Sequence, residues 1–95
     1  MSTYLFTYRI QEGASGSPDA MAQWMAWFED LGAAVVDAGN PVFARSTLGN
    51  CGAGSALGGY SLITADDLEA AVTLAKGCPA LASGGGVEVG ELATM

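Results

Sequence analysis

Few side chains in this sequence are equipped for chemistry. Arg9 is one of three basic residues, and Tyr8 precedes it. Asp37 and Asn40 bracket a Gly39 turn, Tyr60 follows a Gly58-Gly59 pair, and two cysteines stand at 51 and 78. Arg9 could bind a carboxylate at a pocket mouth through its forked donors; otherwise it is a strand-end arginine paired with Glu12 or Glu91. Asp37 could serve as a general base if desolvated, or it and Asn40 could cap exposed amides around the turn. Tyr60 and Tyr8 could each donate a phenol to a ligand oxygen, or pack with the hydroxyl reaching a rim. Cys51, in a glycine-rich loop, would be reactive only if its thiolate were stabilised. Cys78 follows a helix C-terminus, which disfavours a thiolate.

What the chain lacks narrows the field further. It has 95 residues, three basic and ten acidic side chains, no histidine and a net charge of −7. Three cations cannot track a phosphate backbone, so nucleic acid is not an expected partner, nor is an anionic membrane surface. Without imidazole there is no Ser-His-Asp triad and no histidine-ligated metal or haem. No metal and no cofactor are expected. The glycine-rich segments match neither a dinucleotide fingerprint nor a P-loop. No apolar run is long enough to span a membrane, and no basic leader opens the chain. Two cysteines without CxxC spacing fit a reduced, cytoplasmic protein.

The elements that must position these residues read as one domain over residues 1–95. Residues 3–10 alternate as a strand, with Tyr4, Phe6, Tyr8 and Ile10 on one face and Leu5, Thr7 and Arg9 on the other. Ser17-Pro18 opens a helix expected to run to about Ala38, with Met21, Trp24, Met25, Phe28, Leu31 and Val35 as its apolar stripe and Trp27 at the edge. A short strand is expected over 41–46, a loop over 47–56, and a third strand over 57–64 with a bulge or a close backbone contact at its glycine pair. Thr64 is the expected cap of a helix over 65–76 whose inner face is Leu68, Ala71, Val72 and Ala75. A small-residue loop over 80–85 and a last strand over 86–92 complete the order βαββαβ.

That order predicts an α+β, ferredoxin-like subunit: a four-stranded antiparallel sheet with both helices on one face. Both faces of the first strand carry apolar groups, and the chain has no third long helix to cover the second. A second copy of the same face is the economical lid, so a homodimer is expected.

Several stretches then resemble the YCII-related, or DGPF-domain, family. They are residues 24–28 with Leu31-Gly32, the Val36-Asp37-Ala38-Gly39-Asn40-Pro41 turn, and the Leu57-Gly58-Gly59-Tyr60-Ser61-Leu62-Ile63 strand. Leu68-Glu69-Ala70-Ala71, the Lys76-Gly77-Cys78-Pro79 exit and Val87-Glu88-Val89 continue the match in order. The resemblance implies ferredoxin-like subunits paired back to back into a dimeric α/β barrel, in a family mostly of undetermined function. Two family features are missing. The Asp-Gly-Pro-Phe stretch is absent, and Ala80 stands where many relatives carry histidine. The expected role is binding a small, mostly apolar molecule between the sheets, with Arg9, Tyr8, Asp37, Asn40 and Tyr60 as candidate ligand contacts. The alternatives are a cofactor-free isomerase or monooxygenase using Asp37 or Tyr60 with Arg9, or a structural or regulatory interaction module.

Overall fold

The first strand decides the architecture, because its alternating side chains must place one set under the helices. The computed structural model describes residues 1–11, 18–52 and 54–93. In β1 (Ser2–Gln11), Tyr4, Phe6 and Tyr8 are buried while Leu5, Thr7 and Arg9 between them are half-buried. The aromatic set lies on the helix-covered face, and bulk explains the choice. Aromatic rings remove the most apolar surface from water per residue.

The remaining elements are α1 (Pro18–Leu31), a 3-10 turn (Gly32–Ala34), β2 (Val35–Asp37), β3 (Ser55–Ala65), α2 (Leu68–Ala75), α3 (Pro79–Ala82) and β4 (Gly86–Glu91). The strands form one sheet in the order β2-β3-β1-β4, antiparallel at every pairing. This is the ferredoxin-like α+β topology expected from the element order.

Several boundaries differ from the sequence expectation. The first helix stops at Leu31 rather than near Ala38. Gly32 adopts φ +54°, a left-handed conformation that ends the helix. The β-branched pair Val35-Val36 then enters the sheet as β2. The second strand is therefore Val35–Asp37, not residues 41–46, where only a Pro41–Gly59 bridge extends the pairing. At the second helix the cap is Asp67, not Thr64: the Asp67 carboxylate accepts the Ala70 amide at 2.8 Å. Thr64 is held in the sheet instead, paired with Thr3 and donating its hydroxyl to the Ser2 carbonyl at 3.2 Å. Residues 79–82, expected as loop, form α3 with Ala80 buried.

The core is correspondingly shifted. Trp27, expected at the stripe's edge, is the most buried residue of α1's apolar face. Met21 and Met25 are exposed. Trp27 stacks on Phe6 with ring centroids 6.3 Å apart, meets Tyr8 edge-on at 5.9 Å, and donates its indole N–H to the Leu74 carbonyl. On α2 the buried positions are Ala71 and Ala75, whereas Leu68 and Val72 face outward. Small residues let α2 sit close to the sheet, and Val87 and Val89 of β4 pack against the same cluster. The expected bulge is present as a register shift between Tyr8 and Arg9: Tyr8 pairs with Gly59 and Arg9 with Leu57, leaving Gly58 unmatched.

The result is two layers, 36 × 33 × 20 Å in extent. Helices cover one sheet face. The other presents Leu5, Thr7 and Arg9 of β1 with Leu57, Tyr60 and Leu62 of β3, all half-buried and, among the described residues, with no helix over them. Among the described residues no helix is long and apolar enough to cross a membrane.

Candidate functional site

The bulge that shifts the register past Tyr8 leaves Arg9 at the end of the uncovered face, beside Gly86 of β4. Its guanidinium folds over the start of β3. Nη2 donates to the Cys51 carbonyl at 2.8 Å and to the Ser55 hydroxyl at 3.2 Å, and Nε donates to the same hydroxyl at 3.3 Å. Among the described residues these hydrogen-bond partners are neutral oxygens, and Glu88 is the carboxylate that shares the groove with the guanidinium. Of the two carboxylates named from sequence as its pair, Glu91 lies against Tyr4 at the opposite end of β1. Glu12 falls outside the described residues.

Arg9 forms one wall of an open groove of about 620 Å³, with Asn50, Cys51, Gly52, Ser55, Val87 and Glu88. The groove is built by topology. Two neighbouring strands supply Arg9 and Glu88, and the segment leading into β3 supplies the rest. Sequence reasoning missed Ser55, Asn50 and Glu88. Only Glu88 left a trace, since its alternation with Val87 and Val89 already places it on the face away from the core.

Tyr60 and Asn40 come together: the Asn40 side-chain amide donates to the Tyr60 hydroxyl at 3.3 Å. Asp37 does not join them. Its carboxylate accepts the Gly39 amide at 2.8 Å, closing a turn at the end of β2 rather than at a helix exit. Gly39 is required there. Its φ is +76°, and a Cβ would collide with the Tyr60 carbonyl. Asp37 is level with Leu62 and so with Leu5, two strands and four residues from Arg9. The backbone separation is roughly 16 Å at ordinary strand spacing.

Tyr8 lies on the other side of the sheet from Arg9. Its hydroxyl donates to Ser61 at 2.8 Å, and Ser61 in turn donates to the Ala38 carbonyl at 2.7 Å. This chain ties β1 to β3 and to the exit of β2, and it satisfies Ser61, which is fully buried. Burial pushes the Tyr8 phenol up to about 12, against the opposing pull of its bond to Ser61. The folded state therefore keeps a proton that the unfolded chain loses near pH 10. Below pH 10 the full contribution is present; stability falls as pH rises from 10 through 12. Urea midpoints at pH 8 and pH 11 are expected to show the drop, and Tyr8→Phe is expected to reduce it.

A second cleft, of about 670 Å³, opens on the helix side between Trp27, Asp30, Lys76 and Cys78. Burial raises the Cys78 thiol above its usual range, which keeps it protonated and inert. Cys51 is exposed, and both cysteines are free. Among the described residues no three of Cys, Asp or Glu gather as a metal site would require.

A family model described as the YCII-related domain matches residues 1–93. The chain belongs to the YCII-related family. No curated protein matches it. In this YCII-related chain the residues quoted for the resemblance serve the architecture: the Gly39 turn packs on Tyr60, the Gly58-Gly59 pair sets the bulge, and Cys78-Pro79 starts α3.

Proposed function

We propose that this YCII-related protein is a homodimer, working in the reducing cytoplasm, that binds a small, mostly apolar carboxylate in the space between two sheets. The observation that carries the reading is the uncovered face itself. A row of aliphatic and aromatic side chains, Leu5, Leu57, Tyr60 and Leu62, ends at a guanidinium whose described hydrogen-bond partners are all neutral.

The large rings Phe6 and Tyr8 lie under the helices, so they do not fill the space between two apposed sheets. Leu5, Thr7 and Leu62 would line it, leaving room for a ligand. Catalysis by Asp37 or Tyr60 with Arg9 gains no support from the geometry, since Asp37 closes its own turn far along the sheet from Arg9.

Octanoate and octanol make a matched pair of probes, differing in charge. Isothermal titration is expected to show saturable octanoate binding to the dimer that weakens at least tenfold in Arg9→Gln, the magnitude of a lost charge-assisted hydrogen bond. Octanol binding should be unchanged by the substitution. Equal octanoate affinity in wild type and Arg9→Gln, or no saturable binding of either probe, overturns the reading.

A further inference from the structure

Among the described residues, Phe43 and Leu48, at 86% and 89%, are the most solvent-exposed large apolar side chains beyond the N-terminal Met1. They stand five residues apart on an arm, residues 42–52, that carries no helix or strand. Its position is nonetheless set at both ends. At the root, Pro41 bridges Gly59 and the Val42 amide donates to the Gly58 carbonyl at 3.0 Å. Beside that root, Asn40 bonds the Tyr60 hydroxyl; at the far end Arg9 bonds the Cys51 carbonyl. Tyr60 and Arg9 both belong to the uncovered sheet face, so the arm is tethered to side chains of that face.

We propose that the arm is a dimer clasp: Phe43 and Leu48 pack against the second copy of this chain when the two uncovered faces meet. The inference rests on the dimer reading above and adds what completes the interface. Four strands of these lengths present roughly 500 Å² in projection at ordinary strand spacing. A standard interface buries about 800 Å² of accessible surface from each partner. Two large apolar side chains on an arm tethered to the same face add to what the sheet offers. In a two-fold dimer each arm reaches the other copy, so the contribution counts twice. The arm also carries Asn50, Cys51 and Gly52, one wall of the Arg9 groove, so clasping holds that wall in place.

The test is a dilution series by sedimentation velocity for the wild type and the Phe43→Ser/Leu48→Ser double variant. The variant is expected to keep the wild-type far-ultraviolet dichroism, since both residues are exposed in the subunit, and to raise the dimer dissociation constant at least a hundredfold. Phe43→Leu with Leu48→Met is expected to stay within tenfold of wild type. A dimeric wild type whose serine variant dissociates within threefold of it overturns the clasp alone. A wild type that sediments as a single 9.6 kDa chain at 100 μM overturns the dimer reading and the clasp with it.

Discussion

Phe6→Ala is expected to destabilise the subunit by about 3–5 kcal/mol, read as a fall in the urea midpoint with an unchanged slope. Phe6 is fully buried, stacked on Trp27 and paired across the sheet with Ser61 and Val89. Truncation removes the ring's transfer free energy and leaves a cavity between the sheet and α1. The surroundings cannot collapse into it, because the neighbours on either side along β1, Tyr4 and Tyr8, are themselves buried. A domain of this length has about 5–14 kcal/mol of total stability, so the loss is a large share and a substantial unfolded population at 37 °C is the expected outcome. Phe43→Ala is the matched control. In subunits diluted below the dimer dissociation constant, the same chemical deletion at an 86% exposed position should change stability by no more than about 0.5 kcal/mol. A Phe6 variant within 1 kcal/mol of wild type would contradict the placement of the aromatic set under the helices.

Leu5→Lys reverses the pattern one residue away. Leu5 points to the uncovered face, opposite Leu62. In the isolated subunit a lysine there keeps its ammonium in water and lays its stem along the sheet, at a cost of about 1 kcal/mol or less. In a dimer closed over that face, two ammonium groups would be taken into a mostly apolar space, with Glu88, a diagonal neighbour on β4, as the carboxylate on the same face. Desolvation costs several kcal/mol per buried charge, which one partly exposed carboxylate offsets only in part. The dimer dissociation constant should rise by about a thousandfold or more, equivalent to about 4 kcal/mol. The two measurements separate when denaturation is run below the dimer dissociation constant, where it reads the helix-covered face, while sedimentation reads the other. Retention of a tight dimer in Leu5→Lys would show that the copies associate elsewhere.

Taken together, neighbouring residues of one strand have opposite consequences because a strand's side chains alternate between two environments. The same alternation explains why the candidate residues divided. Tyr8 and Arg9 are adjacent, yet Tyr8 braces the core through Ser61 while Arg9 overlooks an open groove. Tyr60 and Asn40 met across the β2–β3 edge. Asp37 was absorbed by its own turn.

From sequence alone came the order of the elements, the sheet with helices on one face, the bulge at the glycine pair and the family. Each depends on short-range patterns: period-two alternation, proline and glycine stops, and a run of matching blocks. Three matters depended on tertiary contact. The first was which face of β1 the helices cover, since both faces are apolar and only packing against Trp27 selects the aromatic one. The second was where the first helix ends. Ala33-Ala34-Val35-Val36 suits helix or strand, and pairing of Val35 with Ile63 decides for the strand. The third was the groove, whose Arg9, Ser55 and Glu88 lie far apart in the chain. Local propensity carries no information about such a meeting, which exists only once the register of β1 against both β3 and β4 is set.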